Sequence, residues 1–258
     1  MQKYIWWAGG ALVLIAAVVL FFSWRANRHA PTPTAATAPA TPQTPPAIQN
    51  PVPTNPPAQP LPPLQSSDGP LHDAISEVIG KRAADSLFKP EQLVRHIVVT
   101  VDNLSRKRLA VEARPTKPLA GSFRAIGDEQ RSTLDPANYA RYAPLMQVIQ
   151  TVDMKQLAAL YFHFYPLFQQ EYQNQGFPNG YFNDRLVVTI DNLLATPDIN
   201  GDIVLVRPNV MYQFADPNLE DLSAGQKMLL RMGPKNAAVV KAKLRELRAQ
   251  IASAPRSP

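Results

Sequence analysis

The chain has 258 residues, 26 basic against 20 acidic side chains for a net charge of +6, and no cysteine. That length allows one or two domains, and the lack of cysteine excludes a disulfide framework in any compartment. The 27 prolines and the apolar residues cluster, and the clustering divides the chain.

Residues 4–24 carry no charge, and 5–22 read IWWAGGALVLIAAVVLFF. At about 1.5 Å per residue the 21 uncharged positions span roughly 30 Å, the thickness of bilayer hydrocarbon. Trp6, Trp7 and Trp24 stand near the two ends, where amphipathic rings favour the interface. The pattern predicts a transmembrane anchor over 1–29 that meets the lipid bilayer through residues 5–22. A buried core helix rarely opens a chain and then runs into a proline tract. A cleaved signal peptide needs small residues after the apolar run, where Ser23-Trp24-Arg25-Ala26-Asn27-Arg28 places bulky and basic ones. The flanking positive charges tie, the α-amino group and Lys3 against Arg25 and Arg28. The short N-terminal tail and the uncharged linker then favour export of the C-terminal remainder of the chain.

Residues 30–66 are uncharged and dominated by Pro, Ala and Thr, with 13 prolines between 31 and 63. Such a segment buries too little apolar surface to offset its ordering entropy, so a disordered, extended spacer is expected. At about 3.1 Å per residue, the 33 positions reach up to roughly 100 Å. Pro60-Leu61-Pro62-Pro63-Leu64 reads alternatively as a docking motif for a proline-binding module.

A globular domain is expected over 67–252, followed by a disordered tail, 253–258. Asp68 as N-cap, Leu71, Ile75, Val78 and Ile79 on one face, and Gly80 as a stop predict a first helix. Pro90 opens a second, carrying Leu93, Ile97, Val101 and Leu104, although the β-branched run 97–101 equally suits a strand. Residues 97–104 (IVVTVDNL) and 186–193 (LVVTIDNL) match at six of eight positions, as a distant duplication or as two aliphatic helices alike by chance. Asp135-Pro136 and Asp153 are further helix starts. In 154–175, Leu157, Leu160, Tyr161, Phe164, Phe168 and Tyr172 share one broad face, with Pro166 inside and Gly176 beyond the end. That aromatic stripe reads as core. Residues 203–206 and 210–214 flank Arg207-Pro208-Asn209 as two short strands or a hairpin. Asp216-Pro217 opens another helix, and Gly233-Pro234 divides it from the last. There Val240, Leu244, Leu247 and Ile251 form an apolar seam beside a stripe of Lys241, Arg245 and Arg248. The fold class expected is mostly α, one helical domain with a small β-hairpin.

Four scattered histidines (His29, His72, His96, His163) give no metal-ligand spacing, and there is no phosphate-binding glycine loop. Neither a metal nor a cofactor is expected, and no catalytic residue is assigned. Ser86-Leu87-Phe88-Lys89 matches S-x-x-K but lacks its K-T-G partner. Two polar and aromatic clusters are the candidate binding residues: Tyr139, Arg141 and Tyr142 beside Asn138, and Asn183, Asp184 and Arg185 after Tyr181-Phe182. They read as capping and interhelix hydrogen bonds, or as a groove for a sugar or peptide. Residues 227–256 hold eight basic side chains against Glu246 alone. Lys241, Arg245 and Arg248 therefore read as a solvated face, or as a patch for anionic lipid, acidic wall polymer or an acidic envelope protein. Export of the domain argues against nucleic acid.

The segments Val99-Thr100-Val101-Asp102-Asn103-Leu104, Asn138-Tyr139-Ala140-Arg141-Tyr142, Tyr181-Phe182-Asn183-Asp184-Arg185, 222–227 (LSAGQK) and 231–234 (RMGP) together resemble the bacterial family known as domain of unknown function 3014. The resemblance runs from about 62 to 251. It implies an N-terminal span, a proline-rich linker, a bacterial source and no established activity, and it carries over no catalytic residue. The expectation is a single-pass inner-membrane protein with its domain on the periplasmic side, a non-enzymatic binding or scaffold module. The alternative is an enzyme acting on envelope polymers through Asp184 and Arg185, or Asp102.

Overall fold

The computed structural model describes residues 47–53, 60–128 and 132–252. The apolar run 5–22, much of the linker and the tail 253–258 lie outside them. Among the described residues no helix is long and apolar enough to cross a membrane.

Ten helices carry most of the described chain. They are α1 Asp68–Ile79, α2 Lys81–Leu87, α3 Leu93–Leu104, α4 Ala137–Ala140, α5 Ala143–Thr151, α6 Met154–Asn174, α7 Phe182–Leu194, α8 Pro217–Glu220, α9 Ala224–Met232 and α10 Pro234–Ile251. Four short strands, β1 Ala125–Gly127, β2 Ser132–Leu134, β3 Val204–Val206 and β4 Gln213–Phe214, form one antiparallel sheet in the order β1-β2-β3-β4. The domain is thus mostly helical with a small sheet.

Gly80, at φ 87°, ends α1 as its sequence predicts. Asp68 does not cap α1, however. Its carboxylate turns to α3, accepting from Gln92 N at 2.7 Å and Leu93 N at 2.8 Å. It satisfies two donors at a helix start that Gln92, left-handed at φ 51°, sets at Leu93 and not at Pro90. The β-branched run 97–101 is helical. Val94 and Val98 are buried on a face that packs against α6 and α7, and that burial outweighs a weak strand preference. The helix α2 had no counterpart in the sequence pattern, where Gly80 closes the region.

Helix α6 is the hub, packed against α1, α3, α7 and α10. Asp153 caps it through Lys155 N (2.7 Å) and Gln156 N (3.2 Å). Pro166 lies within α6 on an exposed position, and the helix runs on to Asn174. Tyr161, Phe164, Phe168 and Tyr172 are buried; Tyr161 stacks on Phe168, and Phe168 and Tyr172 both meet the Phe182 ring, so the aromatic stripe is core.

The expected hairpin exists as β3 and β4, but it is only half of the sheet. Ser132 and Thr133 of β2 pair with Leu205 and Val204 of β3. The strands β1 and β2, AIG and STL, are too short to show a period of two, and they form because Leu134, Leu205 and Phe214 share a buried cluster. A second cluster joins Tyr142, Met146, Leu193, Leu229 and Met232. Gly233, at φ 84°, separates α9 from α10. A Cβ there would stand 2.7 Å from the Tyr139 ring.

Candidate functional site: a seat at Asp184 and an apolar chamber

The first polar cluster is spent on structure. Asn138, 1% exposed, accepts from Arg124 N at 2.9 Å and donates to Arg124 O at 2.7 Å. Arg141 staples the preceding loop, donating to Ala120 O at 3.1 Å and Gly121 O at 3.0 Å. Tyr142 is buried in the second core cluster, and burial raises its pKa. Tyr139 packs on Gly233. Tyr181 and Phe182, beside the second cluster, belong to the main core around α6.

The second cluster is a seat, and the chain itself occupies it. Asp184, in the first turn of α7, accepts from Gln49 N (3.0 Å), Asn50 N (2.7 Å) and Asn50 Nδ2 (2.9 Å). Tyr181 Oη accepts from Val52 N at 2.8 Å. Asn183, fully buried, donates to both Asn50 O (2.8 Å) and Ile251 O (2.9 Å), and accepts from Tyr161 Oη. Val52 packs on the main core. So residues 49–52, which composition assigns to the linker, are bound to the start of α7 and the end of α10. No signal in the sequence singles out Gln49 and Asn50, because Gln43, Asn55 and Gln59 interrupt the same tract.

Arg185 points the other way. Its Nε donates to Asp102 Oδ1 at 2.9 Å and its Nη2 to Asp102 O, while Arg106 Nη2 holds Asp102 Oδ2 at 2.7 Å. With only 9% of its side chain exposed, Asp102 is a buried carboxylate pinned by two guanidinium groups.

The basic stripe on α10 is not one surface. Lys241 is buried, donating to Thr196 O at 2.6 Å and Asp198 Oδ1 at 2.8 Å. Arg248 makes a two-pronged bond to Asp191, at 2.5 and 3.0 Å. Arg245 alone of the three is exposed. Helical spacing could not reveal that two of these cations have partners on α7 and in the loop after it.

A feature the sequence did not show lies beside α6. A chamber of about 380 Å³ opens between α1, α5, α6 and α10, lined by Ile75, Val148, Leu157, Leu160, Leu244 and Leu247 among others, and its exposed lining is wholly apolar. The seam of α10 faces this space, and Leu244 and Leu247 are half-buried.

Ser86 Oγ bonds Ala83 O and Lys89 Nζ bonds Glu112 O, so the S-x-x-K pair serves local structure. Among the described residues no group of three or more His, Asp or Glu could hold a metal ion.

The family described as protein of unknown function, DUF3014, matches over residues 93–248. No curated protein matches the chain, and no solved structure does.

Proposed function

We propose that this chain, which belongs to the DUF3014 family, is a membrane-tethered module of the bacterial envelope that works by binding and not by catalysis. The observation that carries this reading is the seat at Asp184. A carboxylate available for acid–base work needs an open position, and this one is engaged by two backbone N–H groups and an amide of the chain's own tether. Asp102 and Arg185, the other residues an enzyme would use, neutralise each other beneath the surface. The chamber supports binding too, because the surface it exposes is apolar.

The seat also bears on the tether. An extended linker of 33 residues reaches roughly 100 Å, but one caught at Gln49 leaves residues 30–48, about 19 positions and roughly 60 Å. Docking would therefore hold the domain closer to the bilayer than composition implies. The anchor at 5–22, an inner-membrane location and a periplasmic domain belong to the same proposal, resting on the uncharged 21-residue run and its tryptophans. A reporter active only in the cytoplasm, fused after Pro258, is expected to be silent. Full reporter activity would remove the envelope assignment.

A further inference from the structure

We infer that the seat at Asp184 reads sequence. It takes an extended segment of the form Asn-Pro followed by an aliphatic residue that keeps its N–H, and so fixes the register in which the proline-rich tract docks. The inference rests on the binding reading above and names the chemistry that the seat recognises.

The docked positions meet different demands. Asp184 accepts the N–H groups of Gln49 and Asn50 at 3.0 and 2.7 Å, which any residue but proline supplies. The Asn50 side chain adds a third bond to the same carboxylate at 2.9 Å, and its backbone carbonyl receives Asn183 Nδ2 at 2.8 Å. An ionised carboxylate only accepts, so an amide fits beside it where a second carboxylate would be repelled. Pro51 has no N–H to leave unpaired, and its fixed φ lowers the entropy lost on docking. Val52 N donates to Tyr181 Oη at 2.8 Å, and its side chain packs on the main core. Asn183 is also bonded to Ile251 O and Tyr161 Oη, so α10 and α6 hold the amide that receives the segment.

The tract offers a second Asn-Pro pair. Residues 49–52 read QNPV and residues 54–57 read TNPP. Laid in the seat, the second stretch would supply the same two N–H groups, the asparagine amide and its carbonyl. It would fail at the last position. Pro57 has no N–H for Tyr181 Oη and no branched aliphatic side chain for the core. One hydrogen bond and one apolar contact therefore choose between the registers, together on the order of tenfold or more. The choice sets reach as well, because the two pairs stand five residues apart, roughly 15 Å of extended chain.

Amide hydrogen exchange of the full chain in lipid nanodiscs tests this, read by mass spectrometry on fragments that separate 47–53 from 54–59. A free peptide of the sequence 45–60 gives the unprotected rates. In the wild-type chain the amides of 49, 50 and 52 should exchange slowly, and Asp184→Ala should release them. Val52→Pro should speed exchange at 49 and 50 roughly tenfold. Adding Pro57→Val to Val52→Pro should restore slow exchange, now at positions 54, 55 and 57. Circular dichroism checks that each variant keeps its helices. Slow exchange at 49 and 50 that survives Val52→Pro overturns the inference, as does a double variant in which 54 and 55 stay fast. A different result removes the seat itself, and the binding reading with it: wild-type exchange at the free-peptide rate, or slow exchange that Asp184→Ala leaves untouched.

Discussion

Arg185 on α7 holds Asp102 on α3 through a 2.9 Å bond to its carboxylate and a second bond to its backbone carbonyl. Asp102 belongs to the first matched octapeptide and Arg185 immediately precedes the second, so the two similar segments are tied side by side on α6. Their equivalent aspartates differ in setting. Asp102 is buried between two arginines, whereas Asp191 meets Arg248 at the surface. Arg185→Met should therefore cost roughly 3 kcal/mol, at the low end for a broken buried pair because Arg106 remains. Arg248→Met should cost less than about 1 kcal/mol, as for a surface pair. Urea unfolding of a fragment covering 45–258 measures both, and equal costs would mean that burial of Asp102 is not what matters.

The same two segments meet at Gly225. A Cβ there would run into Leu193 Cδ2 and stand 3.0 Å from Leu104 O, the final leucine of each octapeptide. Gly225→Ala raises helix propensity by about 1 kcal/mol, yet overpacking of this kind costs about 1–3 kcal/mol. A net loss of thermal stability is expected. A gain would show that α9 can move away from α3 and α7.

Residues 49–52 contribute to the domain that follows them. A fragment starting at Ser67 should still be mainly helical by circular dichroism, because the helices lie beyond it. It lacks the Gln49, Asn50 and Val52 bonds and the packing of Val52, Leu61 and Leu64, and should be less stable than one starting at Pro45 by at least about 2 kcal/mol. In the longer fragment, Asp184→Ala should speed proteolytic cleavage around 49–52. Identical cleavage rates would mean that the seat does not hold the segment in solution.

Lys241 and Arg245 sit four residues apart on α10 with opposite fates. Removing the Lys241 ammonium leaves Thr196 O, itself in a buried residue, without its donor, so Lys241→Met should cost about 1–3 kcal/mol. Arg245→Gln should stay within about 0.5 kcal/mol. Chemical denaturation of both variants separates a structural lysine from a surface arginine.

His96 gives the stability a pH dependence. Burial first, and then repulsion from Lys89 and Arg95, lower its pKa below the ordinary 6.5. Its Nδ1 has no hydrogen-bond partner among the described residues. Between the folded and unfolded pKa values the unfolded chain binds more protons, so the contribution is complete above about pH 6.5 and is lost as the pH falls through the folded pKa. His96→Gln should flatten the fall in urea midpoint across that window. An unchanged slope would assign the fall to other groups.

Composition and periodicity alone yielded the anchor-like run at 5–22, the proline tract, and the helix starts at Asp153, Asp216 and Gly233-Pro234. These features depend on neighbours within a few residues, where capping, backbone geometry and hydrophobic spacing operate. The same rules gave Leu244 and Leu247 a common face, but not the chamber that the face lines. They grouped Lys241, Arg245 and Arg248 as one stripe, and could not see Thr196 and Asp191 waiting for two of them. They put Asn50 in a spacer, although Asp184, 134 positions away, accepts its backbone N–H. Tertiary structure alone decided these matters. Whether a polar group is a surface, a partner or a seat depends on which distant group loses water with it, and local sequence carries no record of that pairing.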